Sequence, residues 1–352
     1  MRVDTYAPLG DWRAVEAHAR RIEELGFDDL CTPEIHGDPF IPLAVAALCT
    51  ERVGLRTAIA VAFPRSPMVV ANTAWSLQVN SGGRFALGLG TQVKGHNERR
   101  FSVKWVAPRS RLREYVQSLR AIWRCWELGE PLQFVGEHYR FTLMTPEFTP
   151  PRSSLPPIPV YVAAVRPAMM RMAGEVADGV RLHGFATRRY LEEVALPELR
   201  AGLAAAGRDR SSFEICGGGF IATGKTEEEV VKRREWVRYR VAFYGSTRTY
   251  QPVMSLHGWD DLAASLHQMS RAGQWQEMAA QVPDEVLDAF CVSATYDRLS
   301  GAIGERFGGI SDCISLGFPG DGDRLDDELA DLLPALRAID CTFAGHRADY
   351  DE

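Results

Sequence analysis

Apolar positions along the chain fall into two alternating rhythms. Short, nearly continuous apolar runs predict strands over 2–6, 28–33, 53–63, 84–90, 159–165, 179–183, 213–224 and 312–318. Between them, apolar residues at three- and four-residue spacing predict helices over 11–26, 41–52, 67–83, 167–177, 188–206, 226–243, 296–307 and 324–339. In the first helix Val15, Ala19, Ile22 and Leu25 share this spacing and Gly26 closes the segment; in the second, Pro42 occupies the first turn, where its missing N–H costs nothing. The run "VGLRTAIAVAF" (53–63) reads as one unbroken strand buried on both faces, which is the signature of a parallel sheet.

Short connections between strand and helix over the first 90 residues indicate a parallel sheet, and the count of eight strands predicts an α/β fold: a (β/α)8 TIM barrel occupying residues 1–352 as one domain. Two stretches depart from the rhythm, a turn-rich segment at about 128–158 and a second at 244–292, and both read as insertions that build the rim of a barrel.

Composition narrows the function classes. The apolar fraction is 46% and the formal charge is −6, so a basic face for nucleic acid or an anionic membrane is not expected. Seven cysteines stand singly with no CxxC pair, and no HxH or HExxH spacing occurs, so no metal is expected and the thiols suit a reducing cytoplasm. The opening "MRVDTYAPLGDW" lacks the basic and apolar regions of a secretion signal, which makes a soluble cytoplasmic protein the expectation.

Candidate chemistry begins at "FALGLGTQVKGHNERRF" (85–101). Gly88 and Gly90 fit two positions of a dinucleotide-binding GxGxxG, but Val93 stands at the third and the stretch follows the fourth strand instead of the first. Lys94 lacks the Ser or Thr that a phosphate-binding GK[ST] loop needs. The stretch reads instead as a barrel strand whose carboxyl end becomes a ligand loop. Arg99 and Arg100 fit a solvated helix face, "KTEEEVVKRREWVRYR" (225–240) an exposed helix opened by a Thr226–Glu229 capping box, and "GGG" (217–219) a bulge or close approach within a strand.

Five segments, "TPEIHGDPFIPLA" (32–44), "LRTAIAVAFPRSPMVVA" (55–71), "GGRFALGLGTQVKGHNERRF" (82–101), "PVYVAAVRPAMMRMAGEVADGV" (159–180) and "DRLSGAIGERFGGISDCISLGFP" (297–319), occur in an order and spacing that resembles the bacterial-luciferase-like superfamily, and within it the actinobacterial oxidoreductases that use the deazaflavin coenzyme F420. The resemblance implies hydride transfer between the deazaflavin and a small organic substrate. It also implies a bulge at Ala58-Ile59 with a non-proline cis peptide that supports the ring. Gly90, Thr91 and Gln92 would contact the ring or phosphate; Ala163, Ala164, Val165 and Arg166, leading into a helix with Pro167 in its first turn, would hold the phosphate; and His183 would face the mouth. Relatives often carry two glycines where Val165 and Arg166 stand.

Sugar-phosphate dehydrogenases of this family carry an Asp-His pair at the end of the second strand. Here Glu34 matches the Asp, Ile35 stands in place of the His, and Val93 stands where those enzymes carry a Glu acid. An acid–base role therefore falls on His96 or His36, with Glu34 as a third candidate. Two alternatives remain open at this point: an FMN-dependent monooxygenase that activates oxygen, and a barrel that binds flavin or deazaflavin without turnover. The resemblance also implies a homodimer, or a higher homo-oligomer, paired through the helices beside the second and third strands.

Overall fold

The computed structural model describes residues 1–317 and 327–350. Its strands, in chain order, are β1 (Arg2–Tyr6), β2 (Asp29–Thr32), β3 (Gly54–Thr57), β4 (Ala60–Val61), β5 (Phe85–Gly90), β6 (Phe134–Val135), β7 (Arg140–Phe141) and β8 (Val160–Ala164). After these come β9 (Gly179–Leu182), β10 (Glu214–Gly217), β11 (Phe220–Gly224), β12 (Cys291–Thr295) and β13 (Cys313–Ser315). Parallel pairing runs β1–β2–β3–β5–β8–β9–β10–β13 and returns to β1, so eight strands close into a ring. With helices packed around it, the chain is a (β/α)8 barrel, as the two rhythms predict. Each outer helix buries one stripe: Trp12–Leu25 turns Val15, Ala19 and Ile22 inward and ends at Gly26, whose φ of 87° only glycine adopts without cost. No helix among the described residues is long and apolar enough to cross a membrane.

Two predicted strands are broken in the structure, and both breaks lie at the barrel's mouth. The run 53–63 divides into β3 and β4, with a cis peptide between Ala58 and Ile59. Residues 213–224 divide into β10 and β11, because Gly217 and Gly218 take φ values of 79° and 112° and turn the chain out of the ring. β11 then pairs in parallel with β12, a strand that begins at the end of the 244–292 segment and runs beyond it; the run at 291–295 is its sequence signal. The helix predicted over 188–206 contains a π-helical turn at Leu191–Ala195. Residues 324–326 of the last predicted helix and residue 318 of the last predicted strand lie outside the described residues; the remainder of that helix forms two short pieces, Asp327–Ala330 and Leu333–Arg337.

The 128–158 segment forms the β6–β7 hairpin and one 3-10 turn. The 244–292 segment packs a second apolar cluster, including Val253, Met254, Leu266, Met278 and Leu287, against Val237 and Val241 of the helix Glu227–Gly245. That cluster clamps the helix over the mouth.

Charge fills the lower part of the barrel. Arg56 is buried, with Nη2 3.0 Å from Asp29 and 3.1 Å from Glu214, Nη1 donating to the Cys216 sulfur at 3.1 Å, and its plane over the Tyr161 ring. Glu214, Cys216 and Cys313 cluster there, and this guanidinium already supplies the positive charge beside them. Flanking Arg56 and Arg2 hold the Glu214 carboxyl, against its burial, down to about 2. From below, the C-terminal segment closes the floor: His346 Nε2 lies 2.6 Å from the Tyr161 hydroxyl, and the Thr342 and Phe343 N–H groups both donate to Asp312 Oδ1.

Candidate functional site

The carboxyl ends of the ring strands open into one cavity of about 860 Å3, within the size range of a site for a cofactor and small substrate. The β3–β4 break contributes Ala58 and Ile59, and the end of β5 contributes Gly90, Thr91 and Gln92. The end of β8 contributes Ala163, Ala164, Val165 and Arg166; His183 follows β9, and His96 comes from the short helix Lys94–Arg99. All ten residues expected at a cofactor therefore line a common space, together with one of the two candidate histidines.

Each is positioned by a local cause. A Cβ on Gly90 would lie 2.7 Å from Ile59 Cδ1, so the glycine makes room for the Ile59 side chain. Next to it, Gly88 packs on β3: a Cβ there would lie 2.0 Å from the Thr57 carbonyl oxygen, while the Thr57 hydroxyl donates to the Gly88 carbonyl and accepts from its N–H, both at 2.8 Å. Buried Asn97 holds the loop after β5, donating from Nδ2 to the Thr91 carbonyl at 2.8 Å and the Val93 carbonyl at 3.1 Å. Arg166 is the N-cap of the helix Pro167–Val176, and the preceding Val165 carbonyl is fixed by the Tyr190 hydroxyl at 2.9 Å.

His183 sits 4.3 Å from the Tyr244 ring and 4.9 Å from the Tyr250 ring, centroid to centroid. Burial, with the Arg240 charge nearby, drives its pKa down to about 4, so the ring is neutral at pH 7. Its Nδ1 accepts from the Phe185 N–H at 2.9 Å, which leaves the proton on Nε2. His183 is thus a fixed hydrogen-bond donor.

Two candidates fall outside the lining. The Glu34 side chain is buried outside the lining, where Oε2 accepts from the Val61 N–H at 2.7 Å and from Arg65 Nη1 at 2.8 Å and so braces the bulge. His36 is exposed, and its neighbour Ile35 lines the cavity instead.

The stretch 225–240 reads in sequence as an exposed helix, yet its Trp236 and Arg240 line the cavity, together with Phe243 and Tyr244 just beyond it and Tyr250 from the following insertion. The signal was present: three aromatic residues and an arginine at i, i+4, i+7 and i+8 form one stripe, which a solvated helix does not need.

Among the described residues, the charged side chains lining the cavity are Lys94, Arg166, Arg181 and Arg240, with no carboxylate. Arg181 is neutralised by Asp4. In a chain of net charge −6, the Arg166 cation at the N-terminus of the helix Pro167–Val176 suits a ligand with a phosphate group. The apolar bulge and aromatic wall suit a flat ring.

A model of the luciferase-like monooxygenases matches residues 2–309. The chain is 46% identical over 314 residues to an uncharacterized protein of Mycobacterium tuberculosis, covering 89% of this chain and 92% of that one. It is 28% identical over 309 residues to the 5,10-methylenetetrahydromethanopterin reductase of Archaeoglobus fulgidus, covering 85% and 88%. Among solved structures, the coenzyme F420-dependent tetrahydromethanopterin reductase of Methanopyrus kandleri superposes with a TM-score of 0.76 at 19% identity, covering 96% of this chain and 98% of that one. A closed barrel whose predicted ligand loops meet in one cavity, and a family match over most of its length, place the chain in the luciferase-like monooxygenase family of oxidoreductases.

Proposed function

We propose that the protein is a coenzyme F420-dependent oxidoreductase acting on a small organic substrate. The observation that carries this reading is the meeting of the Ala58–Ile59 bulge, the Gly90–Gln92 loop and the Ala163–Arg166 helix entrance on one cation-lined cavity. When bound, the coenzyme supplies a two-electron hydride carrier.

The chain's own residues supply the rest. Ala58 and Ile59 support the ring from below, and Gly90 lets the ring approach the barrel wall. Thr91 and Gln92 offer polar contacts to it. Arg166 and the N-terminus of the helix Pro167–Val176 hold the phosphate. His96, exposed on the rim, exchanges a proton with substrate at its imidazole nitrogen, while Trp105 and the aromatic stripe of the helix Glu227–Gly245 restrict water.

A homodimer belongs to the same proposal. Leu48 on the helix Ile41–Cys49 and Val69 and Val79 on the helix Pro67–Asn80 are apolar and exposed, on the two helices that follow β2 and β4.

Equilibrium titration of the purified protein with F420 and with FMN tests the cofactor. Micromolar binding of F420, at least a hundredfold tighter than FMN, with substrate-dependent oxidation or reduction of the bound coenzyme, is the expected result. Preferential FMN binding with oxygen consumption overturns it in favour of a monooxygenase, and tight binding without turnover on any substrate overturns the enzymatic reading.

A further inference from the structure

Arg240, on the cavity wall, pairs with no carboxylate among the described residues. Arg240 donates from Nη2 to the Tyr244 hydroxyl at 2.7 Å, and its guanidinium carbon lies 5.1 Å from the Tyr244 ring centre and 5.2 Å from that of Trp236. Other arginines of the same helix are treated differently: Arg234 and Arg238 both reach Asp284, and Arg234 also reaches Asp288. Ring faces alone stabilise a half-buried guanidinium only weakly compared with a carboxylate partner.

His183 and Tyr250 complete the cluster. The Tyr244 and Tyr250 rings stand 5.4 Å apart, with His183 against both. The one remaining donor of the His183 ring is Nε2–H, and among the described residues neither it nor the Tyr250 hydroxyl has a hydrogen-bond partner. The cavity wall at this place therefore holds one planar cation, two neutral donors and an apolar surround formed by Phe243, Trp236 and Phe220, with no carboxylate among the described lining residues to repel an anion.

We infer that Arg240, His183 and Tyr250 form a subsite for the carboxylate of the substrate, and that the protein acts on an organic acid with an apolar body. This rests on the proposed reading of the cavity as a redox site, and it assigns to the substrate a position apart from the phosphate anchor at Arg166. A planar guanidinium matches a carboxylate in shape, and the aromatic surround lowers the local dielectric, which strengthens the pairing. The same surround accepts the apolar body of the acid while penalising a second charge on it.

The test is binding of benzoate against its neutral near-isostere benzamide, read by Trp fluorescence on the F420-loaded protein and repeated on the apoprotein. Benzoate is expected to bind at least tenfold more tightly than benzamide. In Arg240→Gln the ratio should fall to within twofold, and Arg240→Lys should keep part of it, while the F420 dissociation constant moves less than threefold in either variant. That retained coenzyme binding also shows that the variants are folded. A benzoate preference that is absent in the wild type, that survives Arg240→Gln, or that is lost in Arg166→Gln instead, overturns the subsite. Phenyl phosphate binding tenfold more tightly than benzoate overturns the carboxylate assignment in favour of a phosphoryl group. Failure of F420 to bind, with the benzoate preference intact on the apoprotein, overturns the cofactor reading alone.

Discussion

Glu34 grips both sides of the bulge that carries Ile59: its backbone N–H donates to the Ile59 carbonyl at 3.2 Å, and its carboxylate accepts the Val61 N–H at 2.7 Å. Arg65 closes the arrangement, bonding Glu34 at 2.8 Å and Asp38 at 3.0 Å. The end of β2 is thereby tied to the β3–β4 break by a buried carboxylate, and the shape of the cavity floor depends on it.

This placement separates support from proton transfer. Glu34→Ala leaves the Val61 N–H without its partner and Arg65 with only Asp38, at a cost of about 2–4 kcal/mol, and F420 affinity should fall more than tenfold by titration. Glu34→Gln keeps the acceptor and the shape, so kcat with bound coenzyme should stay within about fivefold. A loss of a hundredfold or more in kcat for Glu34→Gln would instead make Glu34 the proton donor.

Gly88 and Gly90 differ in what a methyl group would strike. At Gly88 it meets the Thr57 carbonyl of the neighbouring strand, which cannot move without breaking the β3–β5 pairing; Gly88→Ala should lower the thermal midpoint by 5 °C or more or abolish folding. At Gly90 it meets the end of the Ile59 side chain, which can rotate. Gly90→Ala should fold normally yet weaken F420 binding, because Ile59 is pushed into the space the ring would take.

The two histidines of the rim make opposite predictions. His96 lines the cavity and His36 does not. His96→Gln should reduce kcat by about a hundredfold or more with an unchanged F420 dissociation constant, in keeping with loss of a positioned proton donor. His36→Gln should leave both within twofold. Steady-state kinetics on the two variants decide between them.

Much of this was legible in the chain, and the reasons for the rest are physical. Barrel class followed from the alternation of periods and the loop after Gly90 from its glycines and polar residues, whereas the 163–166 entrance came from resemblance. The bulge at Ala58–Ile59 came from resemblance, since periodicity cannot distinguish an unbroken buried strand from one interrupted by a single peptide. β11 was misplaced because positive φ at Gly217 and Gly218 redirects the chain without changing its apolar pattern. The aromatic stripe around Arg240 was hidden by the charges alternating with it, and the C-terminal plug at His346 has no period at all.

That plug, with His183, sets a pH dependence. Burial lowers the pKa of both His183 and His346 from 6.5 to about 4. Around His346, Glu214 and Asp178 oppose the shift while Arg56 and Arg2 add to it. Between pH 6.5 and 4 the unfolded chain therefore binds two protons that the folded chain excludes, so stability is complete above pH 6.5 and falls as the pH drops. The expected slope is about 1.4 kcal/mol per pH unit for each histidine. Urea denaturation at pH 7 and pH 5 should show a loss of about 4 kcal/mol from the pair, and His346→Gln, which can still bond the Tyr161 hydroxyl, should remove about half of it. A pH response unchanged in His346→Gln would mean that the tail leaves the barrel floor before the histidine titrates.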